Sequence, residues 1–370
     1  VRRAEASLRP TRAEILLDAI GHNLEVVRSA APGKKVLAVV KADAYGHGVV
    51  PVARRLQADG VDGFGVALAE EGIELREAGI DRAILVLNGI NGGAHRDIVA
   101  AGLTPVLYEI SEARAFEAVA GGRPVDVHLK VDTGMGRLGV PLRELTEFLR
   151  ELRQFPSIRI AGLMTHLSTA DSDRSYVAVQ VAAFKRAEGL VRRFGHEPSV
   201  LHAANSAAVF RHPETHFDWI RPGIAIYGYP GSSAIDAPLR PAMRWRTEVL
   251  QLRTLQPGES AGYGRSFRAD KPTRLATLPL GYGDGLLRSA SNRGQVLIHG
   301  VRCSIVGNIS MDLTTVDVTD VPSVAIGDEA LLLGEQGGAV LGARDLATAA
   351  GTIPYEVLTN VSRRVPRLYL

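Results

Sequence analysis

The 370-residue chain contains a single cysteine, Cys303. It can close no intramolecular disulfide and build no cysteine metal cluster, and a reducing cytoplasm is the compartment that suits it. Net charge is almost absent: 43 Lys and Arg against 40 Asp and Glu leave a formal +3. That balance lacks the concentrated basic stripe expected of a nucleic-acid binder. No run reaches the roughly 18 apolar residues of a membrane-spanning helix. Residues 1–12 carry Arg2, Arg3, Arg9 and Arg12 but no apolar core of a secretory signal. The 39 glycines and 19 prolines are scattered, so they read as turn punctuation rather than low complexity. No metal site is expected. What remains is a folded globular chain long enough for two domains.

Eight short apolar runs occupy residues 35–42, 64–68, 83–88, 105–108, 125–131, 160–167, 200–205 and 224–227. Continuous Val/Ile/Leu runs suit strands buried on both faces of a parallel sheet. Residues 50–57, 69–78, 110–120, 142–154 and 175–194 place apolar residues at the three-and-four spacing of amphipathic helices. Eight such units predict an α/β TIM-type (β/α)8 barrel over 1–236. An open doubly wound sheet is the runner-up, since periodicity does not separate the two. From about Ala237 the runs become short and bounded by Gly, Pro or Asp: 247–254, 275–279, 295–298, 303–306, 313–318 and 329–333. They predict a mainly β domain over 237–370, with helices only at 341–350 and 355–360.

The chemistry begins at Val36-Leu-Ala-Val-Val-Lys41-Ala-Asp-Ala-Tyr45-Gly-His47-Gly48, where a lysine ends an apolar strand before a glycine-rich turn. A surface lysine with a snorkelling stem explains it as well. At the C-terminal mouth of a barrel, where active sites are built, it could instead be a desolvated amine nucleophile.

The segment Val39-Val-Lys-Ala-Asp-Ala-Tyr-Gly-His-Gly48 resembles the pyridoxal phosphate (PLP) lysine signature of the alanine racemases. Eight further segments follow in that family's order: Val131-Asp-Thr-Gly-Met-Gly-Arg137-Leu-Gly139, Gly162-Leu-Met-Thr-His166-Leu-Ser, His202-Ala-Ala-Asn205-Ser206-Ala, Arg221-Pro-Gly223-Ile224-Ala-Ile-Tyr-Gly228, Gly262-Tyr263-Gly-Arg-Ser-Phe267, Gly281-Tyr282-Gly-Asp-Gly285, Gly307-Asn-Ile-Ser-Met311-Asp312 and Ile353-Pro-Tyr355-Glu356. One alone would be weak; nine in order, spanning both halves of the chain, are specific.

The resemblance implies an enzyme that interconverts L- and D-alanine on PLP, supplying D-alanine for peptidoglycan. Inverting a carbon centre needs an acid/base group on each face, and the resemblance assigns Lys41 to one and Tyr263 to the other. A tyrosine, ordinarily protonated at neutral pH, needs tuning by its surroundings to act as a base. A hydrogen-bonded chain from Tyr263 through His166 and Arg221 to His202 is implied. Lys41 would carry the cofactor covalently and Arg221 would face its pyridine nitrogen. An arginine stays protonated and cannot take a proton from that nitrogen. Tyr45, Ser206, Tyr355 and the amides of Gly223 and Ile224 would hold the phosphate, with His166 and Asn205 also at the cofactor. Arg137 and the Met311 amide would meet the substrate carboxylate, with Lys130, His202 and Tyr282 in support. Lys130 stands where the family often carries a carbamylated lysine; an ordinary buried lysine paired with Asp132 is the alternative. A head-to-tail homodimer is implied, with Tyr263 and Met311 completing the partner's site.

Three other readings compete: a non-catalytic PLP carrier on the same barrel, a related amino-acid decarboxylase, and a broad-specificity racemase. The β domain with Tyr263 argues against the first. The second would use a β-domain cysteine, and Cys303 lies outside any matching segment, reading instead as a small core residue. Gly134-Met-Gly-Arg-Leu-Gly139 spells a dinucleotide motif but needs a helix opening after it. The chain departs from the family at Asn308, where many relatives have arginine near the substrate entrance, and in the Asn-Gly-rich run at 88–96.

Overall fold

The computed structural model describes residues 9–90 and 92–370. The expectation for residues 1–12 therefore falls largely outside the described residues, as does residue 91 of the 88–96 run.

Residues 19–44 and 49–240 form one compact unit. Its strands β2 (Lys35–Val39), β3 (Gly63–Val66), β4 (Ala83–Val86), β5 (Thr104–Leu107), β6 (Val125–Asp132), β8 (Ile158–Met164), β9 (Val200–His202) and β10 (Trp219–Ile220) pair in parallel; β1 (Arg12–Ile15) belongs elsewhere and β7 (Val140–Pro141) is a two-residue appendage of β6. β2 pairs with β10 and β5 with β6, so the eight strands close into a barrel. Closure removes the sheet edge an open arrangement would expose, and the doubly wound alternative is excluded. Helices Val49–Ala58, Ala69–Glu77, His95–Ala100, Ile110–Ala120, Leu145–Leu152, Arg174–Arg193 and Ser206–Arg211 connect the strands.

Seven of the eight expected strands lie where the apolar runs placed them. The eighth does not. Residues 224–227 form a buried 3-10 turn, and the closing strand is Trp219–Ile220. Pro222 has no N–H for a ladder, and the Ser206 hydroxyl caps the Gly223 and Ala225 amides at 2.9 and 3.2 Å, so the run curls instead of extending. Burial alone does not distinguish a strand from a buried turn.

Inward and outward positions alternate along each strand. Leu37, Leu85, Val106 and Met164 pack inside the barrel, with Leu87, Tyr108 and Trp219 against them. Lys41 follows Leu37 by four residues, His166 and Arg221 follow Met164 and Trp219 by two, and Lys130 stands near the C-terminal end of β6, level with Met164. The pleat thus brings four residues, spread over 180 positions of sequence, to one end of the barrel.

The second unit holds residues 9–18, Tyr45–Gly48 and Pro241–Leu370. The expected boundary at 236/237 falls four residues before the division at 240/241, and two earlier segments also belong to this unit. β1 lies between β11 (Met243–Glu248), antiparallel, and β21 (Arg367–Tyr369), parallel, because its backbone donors and acceptors pair there. The Tyr45–Gly48 segment is tied to the same unit by Arg367, which donates to the Gly46 carbonyl. The largest sheet runs β17 (Val301–Ser304), β16 (Gln295–Ile298), β19 (Glu329–Gln336), β11, β1, β21, with β20 (Ala339–Leu341) on β19. β12 (Gln251–Leu255), β15 (Thr273–Leu278) and β18 (Thr314–Asp317) form a second sheet, and β13 (Ser260–Ala261) pairs with β14 (Phe267–Arg268). Trp245 is fully buried in this unit, and Cys303 is buried with its thiol pushed up to about 11 by desolvation, as a core residue would be.

Candidate active site

At the end of β2 the chain enters a left-handed turn: Ala42, Asp43, Ala44 and Tyr45 all have φ of 52–53°. Each such residue costs about 1–2 kcal/mol, so the turn needs external support. Glu71 provides part of it, accepting from the Ala42 amide at 2.6 Å and from the Ala67 and Leu68 amides at 2.7 and 3.2 Å. Asp43 accepts from the Val49 amide at 2.7 Å. Glu71 was not foreseen as a site residue; its place three positions after Leu68, in the first turn of the following helix, was the available signal. The Lys41 amine is held below the usual lysine range by burial and then by the Arg137 charge, while Glu71 opposes the shift. A lowered pKa raises the neutral, nucleophilic fraction.

Arg221 is buried, 4% exposed, and among the described residues no carboxylate forms an ion pair with it. Its guanidinium donates to the carbonyls of Thr165 (2.7 Å) and Ala203 (3.0 Å) and to Nδ1 of His202 (2.9 Å). Burial brings it down to about 10. Of the expected chain through Tyr263, His166, Arg221 and His202, the Arg221–His202 link is present. The His166 ring has no hydrogen bond to Arg221 among the described residues, and His202 passes instead to His128, Nε2 to Nδ1 at 2.7 Å. His128 was missed, although it stands two positions before Lys130 on the same face of β6.

Lys130 is buried and lowered to about 8 by desolvation and by Arg221, Arg137 and Lys41, with Asp132 opposing. Asp132 does not spend its carboxylate on Lys130. Its oxygens accept the amides of Gly134, Met135 and Gly136 at 2.8–3.2 Å. The Gly134–Gly139 spelling is therefore an Asp-capped loop ahead of β7, and no helix opens there. Arg137 sits exposed on this loop.

Burial, then the charges around them, holds His128 at about 4, His166 at about 3 and His202 well below its ordinary value. All three are neutral at pH 7. Their folded values lie below the unfolded value near 6.5, so their contribution to stability is complete above pH 6.5. It is lost as pH falls toward 4, because the unfolded chain takes up protons the folded chain refuses. Three such groups give a slope of about 4 kcal/mol per pH unit. Urea midpoints at pH 7.0 and 5.5 should differ accordingly; equal midpoints would mean these rings are not buried neutral.

Ser206 begins a short helix whose N-cap, Asn205, accepts from the Ala208 amide at 3.1 Å. With the Gly223 amide on its hydroxyl and Ile224 next in chain, Ser206 gathers donors of the kind that cradle phosphate. His212 and His216, an i,i+4 pair that the no-metal expectation overlooked, each place Nε2 against a backbone carbonyl, of Ala170 and Val209.

In the β unit, Tyr45 lies 6.0 Å from Tyr355, ring to ring, so two of the expected phosphate ligands meet there. Tyr263 opens a 3-10 turn and is 76% exposed on the chain; Met311 is 52% exposed. Asn308 donates from Nδ2 to the Tyr263 carbonyl at 2.7 Å, so the residue that departs from the family's arginine braces the Tyr263 turn. Tyr282 is exposed, its amide on the Ser310 carbonyl. The buried member of its motif is Asp284, which pairs with Arg9 (2.9 Å) and Arg364 (3.1 Å) and is structural.

Residues 15–230 match the family described as alanine racemase, N-terminal domain, and residues 242–369 match alanine racemase, C-terminal domain. The chain is 44% identical to an alanine racemase of Sorangium cellulosum, over 98% of this chain and 99% of that one. It is 43% identical to one of Geobacter sulfurreducens, over 98% and 97%. Among solved structures, the alanine racemase of D-cycloserine-producing Streptomyces lavendulae superposes with a TM-score of 0.93 at 36% identity, covering 98% of each chain. That of Streptomyces coelicolor gives 0.92 at 36% identity over 100% of each.

Proposed function

Because the chain belongs to the alanine racemase family, an enzyme family dependent on PLP that interconverts L-alanine and D-alanine, we propose that Lys41 and Tyr263 are the two groups that move its substrate's α-proton. The D-alanine formed supplies peptidoglycan. The observation that carries the residue assignment is the barrel mouth itself. Lys41, Lys130, Arg137 and Arg221 share each other's electrostatic field there, next to the Ser206–Gly223 donors. Such a site favours ligands bearing a phosphate and a carboxylate.

Bound PLP supplies the sink for the negative charge left on the α-carbon. The protein supplies the rest. Lys41 would hold the cofactor through its amine, and that amine takes or returns the α-proton on one face. The Tyr263 hydroxyl does the same on the other. Ser206, the Gly223 and Ile224 amides, Tyr45 and Tyr355 would hold the phosphate; Asn205 caps the helix that Ser206 begins, and Asn205 and His166 would contribute to the cofactor site. Arg221 would face the pyridine nitrogen as a guanidinium that keeps its protons, which would limit the charge the ring can store. Arg137 and the Met311 amide bind the substrate carboxylate, and Lys130, His202 and Tyr282 support them. The lowered pKa of Lys130, crowded by three cations, raises the fraction of neutral amine that can add CO2 and release a proton to give a carbamate, which would reverse its charge.

Tyr263 and Met311 are exposed on the single chain, and Tyr263 lines a groove with Leu313, Ser310 and Asn308. An acid/base residue needs shelter from water, which supports a homodimer in which each chain's Tyr263 completes its partner's site. The division of labour then follows the chain in the main: the part up to 236 supplies Lys41 and most of the groups that would hold PLP, while 237–370 adds Tyr355, Met311 and the second base. No helix among the described residues is long and apolar enough to cross a membrane, and a cytoplasmic setting suits the lone buried cysteine.

Purified protein loaded with PLP and given single enantiomers of alanine, serine, lysine and arginine should bring the optical rotation of either alanine enantiomer to zero. The other amino acids should respond far more slowly. Persistent rotation of alanine would sink the assignment, and equal rates on lysine or arginine would favour a broad-specificity racemase.

A further inference from the structure

Arg221 presents a problem of placement. Among the described residues this buried guanidinium has no anionic partner and is held by neutral acceptors, two carbonyls and Nδ1 of His202. Arginine only donates, so His202 must offer a lone pair at Nδ1. A neutral imidazole then carries its proton on Nε2, which needs an acceptor. That acceptor is Nδ1 of His128, 2.7 Å away and 74 residues distant in sequence.

We propose that His128 is a positioning residue for the reaction: by accepting the Nε2 proton of His202 it fixes the tautomer that receives Arg221, and so sets the guanidinium at the barrel mouth. In the opposite tautomer an N–H of His202 would face an N–H of Arg221, two donors with nothing between them. Donating to His128 also enriches the His202 ring, which strengthens it as the acceptor of a charged donor.

The surroundings are built for this contact. His128 on β6 is level with Gly162 on β8, while His202 lies on the strand beyond, β9. To reach it the imidazole crosses the backbone of β8 at Gly162. A Cβ there would sit 2.6 Å from three atoms of the ring, so only a bare position lets the ring pass. Trp219, two residues before Arg221, lies 6.0 Å from the His128 ring and 6.3 Å from that of His202 and walls off both. Both histidines are buried.

The inference rests on Arg221 facing the cofactor, and its test separates the two claims. His128→Leu removes the acceptor at similar bulk. His128→Asn retains one, since the Asn Oδ1 stands at the same bond distance from Cβ as Nδ1. In PLP-loaded protein with 15N-labelled histidine, His202 should hold the Nε2–H tautomer in wild type and in H128N and lose it in H128L. Racemisation should follow. H128L should lose about tenfold to a hundredfold in kcat with KM for alanine nearly unchanged, and H128N should recover most of it. Gly162→Ala, which pushes the ring aside without deleting it, should reproduce the spectral change and the kcat loss, and serves if H128L does not fold. An unchanged His202 tautomer in H128L and G162A, or equal losses in H128N and H128L, would overturn the proposal. A lost tautomer with kcat intact would overturn the positioning role and tell against Arg221 facing the cofactor.

Discussion

Lys41→Ala protein is expected to fold, to bind PLP only reversibly, and to lose racemisation by about a thousandfold or more. The lysine stands alone at the end of β2, on a turn held by Glu71 and Asp43 rather than by its own side chain. Removing the amine therefore leaves the turn in place. The donors around Ser206 and Gly223 belong to the fourth and fifth motifs of the series, make no hydrogen bond to Lys41, and stay intact. Wild type treated with borohydride should retain PLP on the peptide containing Lys41, and the variant should release it on denaturation. A reducible adduct persisting in Lys41→Ala would place the covalent link on another amine, Lys130 being the nearest in chemistry.

Mixed dimers carry the second large effect. Lys41→Ala and Tyr263→Phe proteins are each expected to be inactive, and mixing them under conditions that exchange subunits should restore about one quarter of wild-type activity. Random pairing makes half the dimers mixed. In each of these one site inherits both lesions and the other inherits neither. Mass-tagged subunits report the exchange. With exchange demonstrated and no activity returned, both residues would belong to one chain, and the exposure of Tyr263 would need another explanation.

Much of the barrel was legible in the sequence because its signals are local. Seven apolar runs mark seven strands, each long enough for buried Val, Ile and Leu to reveal it. The eighth strand, two residues at Trp219–Ile220, carries no such signal, and the stronger run after it is a turn capped by Ser206. Lys41, Arg137, His166, Arg221 and Tyr263 were singled out through motif order, which points to chemistry without geometry. His128 and Glu71 escaped because their roles are defined by what they touch. Glu71 secures backbone amides from two other strand ends, and His128 meets a ring 74 residues away.

By itself, then, the amino-acid sequence determined the strand-and-helix periodicity, the change to β texture near residue 237, and the residue types that PLP chemistry requires. The tertiary structure decided the rest: that the eight strands close, that β1 leaves the barrel half of the chain to pair between β11 and β21, that four residues after Lys41 turn left-handed, and that His128 crosses Gly162 to His202. The physical reason is range. Side-chain alternation and propensity act between neighbours in sequence, whereas hydrogen-bond register, ring contacts and the desolvation that lowers Lys41, Lys130 and the buried histidines exist only once distant strands are placed side by side.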